Sequence, residues 1–152
     1  MQAGGAGLGA LAFSPDGRLL ATGEQSGAVK IWQVSDHRLL STLAGHAAAV
    51  RSLAFSPDGA LLASAGDDKL ARVWDVATGA ALSSLTGSTD SLTGVLFTPD
   101  GNEILTGSAD GVVRFYLVHI EDLLALARLR VTRPLTPVEC RQYLHLSACP
   151  AP

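Results

Sequence analysis

A chain of 152 residues, 47% hydrophobic and only 16% charged, is long enough for a buried core and too apolar for a disordered tail. Its formal net charge of −3 divides into −4 over residues 1–118 and +1 over 119–152, so neither part offers the basic surface that nucleic acid binding requires. The N-terminus lacks the basic start and apolar stretch of a secretion signal, and no uncharged apolar run approaches the roughly 18–20 residues of a membrane span, which points to a cytoplasmic chain without membrane contact.

From the N-terminus onward the chain repeats itself. Ser14-Pro15-Asp16-Gly17 returns as Ser56-Pro57-Asp58-Gly59 and again as Thr98-Pro99-Asp100-Gly101, each copy 42 positions after the last. Phe13, Phe55 and Phe97 keep the same step, as do Trp32, Trp74 and Tyr116, so six of the eight aromatic residues share one register. Self-similarity at this period marks a stacked repeat architecture. It divides the chain into copies at 1–42, 43–84 and 85–118, followed by a region of different pattern at 119–152.

The middle copy predicts four short strands. Val50 to Phe55 is the first, and Ser56-Pro57-Asp58-Gly59 ends it as a turn. Proline presets φ, aspartate bonds the backbone that follows, and glycine accepts positive φ. Ala60 to Ala65, Leu70 to Val76 and Ala80 to Leu85 supply the other three, separated by turns at Gly66–Lys69 and Ala77–Gly79. Four antiparallel strands in one small sheet cannot bury both faces alone, so neighbouring copies must stack.

With Gly45-His46 at its start, Trp74-Asp75 in its third strand and a 42-residue period, the middle copy resembles a WD40 repeat, and the resemblance covers residues 8–118. It implies an all-β fold: three WD40 β-propeller blades, a partial propeller, with a short C-terminal helical tail.

His46, Ser64 and Asp68 are the side-chain types of a hydrolase triad, but no nucleophile elbow accompanies them. In the family the matching positions form a hydrogen-bond chain from Asp through His and Ser to Trp, and the resemblance places Asp68, His46, Ser64 and Trp74 in it. Such a network ties the turn between the second and third strands to the loop entering the first, and a satisfied set of buried polar groups fixes one packing geometry. The set is complete in the middle copy alone. Gly4 and Ser26 stand for His46 and Asp68 in the first copy. In the third, Ser88, Thr106, Asp110 and Tyr116 stand for His46, Ser64, Asp68 and Trp74. The outer blades are therefore expected to be less rigid, with faster amide exchange.

The third copy stops after its third strand near Val118, and three blades fall short of the about seven that WD40 rings normally carry. Apolar residues at 120, 123, 124 and 127 then predict a helix over Ile120 to Arg130. Thr136-Pro137-Val138-Glu139 predicts the start of a second helix running to about Leu146, with Leu135 and Cys140 as a hydrophobic staple. The tail motifs Leu123-Leu124-Ala125-Leu126-Ala127 and Leu135-Thr136-Pro137 resemble the segment after the last WD repeat of large bacterial signalling NTPases and kinases, as does Glu139-Cys140-Arg141-Gln142-Tyr143-Leu144. On that resemblance the chain is the C-terminal part of a larger propeller protein whose missing blades lie upstream. The alternative is that another chain supplies them, closing a ring by oligomerisation.

Function is expected to be a non-catalytic protein–protein interaction scaffold. In the family, partners dock on the loops entering the first strands and on the turns between strands two and three. Here these are His46–Val50, Ser88–Leu92, Gly66–Lys69 and Ala109–Gly111, and Asp67, Lys69, Asp90 and Asp110 are their candidate partner-facing residues. No cofactor or metal is expected. His37, His119 and His145 share no ligand spacing, Cys140 and Cys149 read as free thiols, and the glycines from Gly4 to Gly9 lack the strand-to-helix context of a phosphate loop. A third reading places the function in the tail, with Arg128, Arg130, Arg133 and Arg141 against an acidic surface.

Overall fold

The computed structural model describes residues 7–118, and the helices predicted for the tail, with its cysteines, lie outside them. Among the described residues eleven strands form three antiparallel sheets, each a meander in chain order. Blade one comprises β1 (Leu8–Phe13), β2 (Leu19–Glu24), β3 (Ala28–Gln33) and β4 (Leu39–Ala44). Blade two comprises β5 (Val50–Phe55), β6 (Leu61–Gly66), β7 (Ala71–Asp75) and β8 (Ala81–Leu85). Blade three has β9 (Leu92–Phe97), β10 (Glu103–Ser108) and β11 (Val113–Leu117), and no fourth strand among the described residues.

The repeated tetrapeptide makes the same turn each time. In blade two the Ser56 hydroxyl donates to Asp58 (2.6 Å) and accepts the Leu61 N–H (2.9 Å), and Gly59 takes φ 74°. Asp58 also accepts the Ala60 N–H, and Asp68 accepts the Leu70 N–H. These side-chain bonds claim amides on which the sequence pattern begins strands, so β6 and β7 each start one residue later than expected. A bulge near the start of the first strand recurs in register, at residues 8–10 in β1 and 50–52 in β5, and opposite Ser108 in β9.

Two apolar clusters bind the blades together. Ala21, Val29, Ile31 and Leu43 of blade one pack with Val50, Leu53, Leu62 and Trp74 of blade two. Ala63, Ala65, Ala71 and Val73 of blade two pack with Leu92, Val95 and Ile104 of blade three. The small residues on one face leave room for the larger ones on the next, which is how thin sheets stack at native density. Polar contacts join the second interface as well, among them the Val95 N–H donating to the Ser52 hydroxyl at 3.1 Å.

Candidate functional site

The structure brings His46, Ser64, Asp68 and Trp74 together inside blade two. His46 Nδ1 lies 2.9 Å and 3.0 Å from the two Asp68 oxygens, and its Nε2 lies 2.8 Å from Ser64 Oγ. Trp74 Nε1–H donates to the same Ser64 oxygen at 2.8 Å. The direction of the chain follows from the donors: Trp74 to Ser64, Ser64 to His46 Nε2, His46 Nδ1–H to Asp68. Only the neutral imidazole gives every proton an acceptor. Burial, the largest influence, pushes the His46 pKa below its ordinary value and outweighs the pull of Asp68. Burial also raises the Asp68 carboxyl, but the His46, Ala47 and Leu70 N–H donors outweigh it and hold the group below the usual carboxylate range.

The connectivity is that of a serine hydrolase triad, yet the setting is different. Ser64 is 0% exposed, and the Trp74 ring that donates to it is itself buried. Its hydroxyl proton and a lone pair are both engaged, and no substrate atom can approach it in the folded blade. Gly66 makes the histidine fit: a Cβ there would lie 3.0 Å from His46 Nδ1 and 3.1 Å from Asp68 Oδ1.

The outer blades carry different groups at the matching registers. In blade one, Trp32 Nε1–H donates to Thr22 at 3.0 Å, the counterpart of the Trp74–Ser64 bond. Glu24 occupies the register of Gly66, is buried, and accepts from both Lys30 and Ser26. Its carboxyl is held below the ordinary range, chiefly by the Lys30 hydrogen bond. Gly4 lies outside the described residues, while Ser26 binds Glu24. In blade three, Ser88 and Ser108 share a 2.7 Å hydrogen bond, and Tyr116 donates to the Thr86 carbonyl at 2.9 Å. Thr106, 1% exposed, is left with a buried hydroxyl that no protein group satisfies.

Sequence reasoning missed Glu24 and Lys30. One signal was available, because Lys30, Arg72 and Arg114 repeat a basic residue at the 42-residue step. Glu24 gave none, since its column holds Gly66 and Ser108 in the other copies.

The four residues expected to face a partner lie on the loops beside this network. Asp67 is gripped by Arg51 through bonds of 2.9, 2.9 and 2.6 Å, a pair the sequence did not suggest. That hydrogen-bonded pairing lowers the Asp67 pKa and raises the Arg51 pKa. Lys69 sits at φ 67° and donates to the Thr89 carbonyl at 2.9 Å. Asp110 accepts from Thr89 (2.7 Å), Val112 N–H (3.0 Å) and Arg114 (3.2 Å), with the Thr89 bond the main cause of its lowered pKa. Asp90 is exposed and binds the Ser91 N–H beside it. Among the described residues no group of three His, Cys, Asp or Glu side chains is placed to hold a metal ion.

The sequence profile of the family described as "WD domain, G-beta repeat" matches residues 4–33, 37–75 and 79–116. The solved "Structure of U3-55K" is similar with a TM-score of 0.74 and 24% identity over 77% of this chain and 38% of that one. "Crystal structure of RRP9 WD40 repeats" is similar with the same TM-score, identity and share of this chain, and 37% of its own. At this identity the likeness is one of fold, and the chain spans less than two fifths of either structure.

Proposed function

Since the chain belongs to the WD-repeat family, matched at all three of its copies, we propose that it is a non-catalytic scaffold that binds other proteins through the loop face of its blades. One observation carries this reading: the residues of the apparent triad are consumed inside blade two, with Ser64 fully buried, while Lys69 and Asp90 of the adjoining loops are exposed and Asp67 and Asp110 half-buried beside them. Asp67, Lys69, Asp90 and Asp110 are its partner-facing set, with Arg51 added because it orients Asp67.

The tail motifs support a finer reading, in which the chain is the C-terminal part of a larger cytoplasmic WD40 signalling protein. The open faces of the blades bear on the other source of the missing blades, a further chain.

Photo-crosslinking from position 90 in cells, compared with position 40 on the fourth strand of blade one, tests the loop-face reading. The scaffold reading expects discrete protein adducts from position 90 that Lys69→Ala and Asp67→Ala diminish. Equal adducts from both positions, or ester hydrolysis that Ser64→Ala abolishes, would overturn it.

A further inference from the structure

Blades one and two are both four-stranded, and a cleft of about 600 Å³ opens between them. Leu19, Ile31 and Leu40 of blade one and Ala60, Val76 and Ala77 of blade two supply its apolar walls. The volume falls within the roughly 300–1,000 Å³ of ligand clefts, whose walls are mostly apolar with a few polar groups that fix orientation.

The backbone turns Leu40 into this cleft. Ile31 pairs with Ser41 and Trp32 with Leu39, so Leu40 is the extra residue of a bulge in β4. Ser41 and Leu43 face the turn after β7, where a Cβ on Gly79 would lie 2.9 Å from Ser41 Oγ and 3.2 Å from the Leu43 side chain. In a regular strand Leu40 would project from the opposite face. The bulge re-aims it to the mouth of the cleft, where it stays 43% exposed. Leu39 beside it is exposed as well, so apolar surface continues beyond the mouth.

One charge stands against these walls. Asp75 is the only ionisable residue among those that line the cleft. Its Oδ1 accepts the hydroxyl and the N–H of Thr78, each at 2.7 Å, and these two bonds hold the carboxyl below the usual carboxylate range. The bonds that close the turn thus fall on one oxygen. Among the described residues no lysine, arginine or histidine pairs with the group. Arg18 and Arg38, on the blade-one turns at the same end of the sheets, lie against Asp16 and Asp36 instead, at 3.7 Å in each case. The register of Asp75 holds Gln33 in blade one and Leu117 in blade three, so the acid belongs to this cleft and not to the repeat.

A carboxylate without a cation, set among aliphatic walls, is matched by a side chain with an apolar stem and a charged head. Arginine and lysine are both built that way, and a polypeptide can present one at the open mouth together with an apolar neighbour. We propose that the cleft between blades one and two receives an arginine or lysine of a partner protein, its head on Asp75 and its stem against Leu40 and Val76, with an apolar neighbour on Leu39. This is a second surface, apart from the loop face, and does not depend on it.

Amide NMR of the full chain, titrated with the blocked peptide acetyl-Leu-Arg-Leu-amide, tests the proposal. The expected result is saturable shifts at Ser41, Ala60, Ala77 and Gly79, while the amides from Gly66 to Lys69 stay in place. The same peptide with citrulline, which keeps the shape of arginine without its charge, binds roughly fivefold more weakly. Asp75→Asn, which keeps an Oδ1 acceptor for Thr78, brings the arginine peptide down to the level of the citrulline peptide. If that variant does not fold, the citrulline comparison carries the test together with Leu40→Ala, expected to weaken binding about threefold. No saturable shifts, equal binding of the two peptides, or arginine binding that Asp75→Asn leaves unchanged would overturn the proposal. Shifts of the same amides on dilution without peptide would assign the cleft to a second copy of the chain and overturn it too. In cells, a cleft partner marks position 40 with adducts that Asp75→Asn removes, while those at position 90 persist, so the two readings fail separately.

Discussion

Blade two and blade three pack the same backbone around opposite polar interiors. In blade two a tryptophan, a serine, a histidine and an aspartate form one chain in which each proton has an acceptor. In blade three the matching positions are Tyr116, Thr106, Ser88 and Asp110, and the chain is broken into separate local bonds that leave the Thr106 hydroxyl unpaired. Blade one takes a middle course, keeping the Trp32–Thr22 bond and pairing Glu24 with Lys30 at the registers of Gly66 and Arg72. The lesson is that a repeat can preserve its sheet while its interior polar chemistry is rewritten, provided that most buried donors find some acceptor.

The sharpest way to break the comparison is to remove equivalent hydroxyls. Ser64→Ala strips an acceptor from Trp74 and a donor from His46 in a dry interior, at an expected cost of about 3 kcal/mol. Thr106→Val removes a hydroxyl with no protein partner and is expected to be neutral or slightly stabilising. Urea unfolding of the two variants checks the contrast, and equal losses would mean that blade three has a polar interior as demanding as blade two. Amide exchange addresses the same point without mutation. It is expected to be slower across β6 and β7 than across β10 and β11.

A somewhat smaller effect tests why histidine and glycine occur together. Gly66→Ala places a methyl against His46, Asp68 and the Ala49 carbonyl at 3.0–3.1 Å, for an expected loss of roughly 1–3 kcal/mol. Grafting the histidine into blade three by Ser88→His meets the Ser108 side chain in the column of Gly66, so the single variant is expected to destabilise. Adding Ser108→Gly recovers much of the loss. A double variant no better than the single one would show that Tyr116, not Ser108, blocks the slot.

Acidification separates the blades more gently. His46 is held neutral below its ordinary pKa of 6.5, so its contribution is present above that pH and is lost as pH falls toward its folded value. Asp68 and Glu24 are depressed carboxylates, whose contributions are present above 3.8 and 4.5 and are lost as pH falls further. The first loss belongs to blade two, and blade one follows. The imidazole NMR signal of His46 is expected to titrate below pH 6.5; a midpoint above it would mean that Asp68 outweighs burial.

Much of this was legible in the primary structure, for a physical reason. The turn tetrapeptide, the aromatic column and the 42-residue step are local signals repeated three times, so noise in one copy is averaged by the others. That is why β5 falls at Val50–Phe55 as the pattern predicts. His46, Ser64, Asp68 and Trp74 were legible because the middle copy retains the family's residue types. What the repeat could not convey were departures confined to one copy. Glu24 stands in a column of Gly66 and Ser108, and a lone glutamate at a strand end reads as solvated until Lys30 is found against it. Arg51 was silent as well, since its partner Asp67 lies 16 residues away across a bulged pairing.

Lys69 gives the smallest expected effect and the finest test of the loop face. Its φ of 67° is a conformation that glycine adopts at the matching positions Gly27 and Gly111, so the lysine backbone is strained there. The side chain recovers one exposed hydrogen bond, to the Thr89 carbonyl. Exposed bonds of this kind are worth less than the backbone strain, so Lys69→Gly is expected to raise stability by about 0.5–1 kcal/mol. On the scaffold reading the same substitution weakens partner capture at the loop face, because the cation that blade two holds at a glycine position is gone. A variant that gains stability and keeps its crosslinked partners would remove Lys69 from the interaction surface and leave Asp67, with its Arg51 clamp, Asp90 and Asp110 to define it.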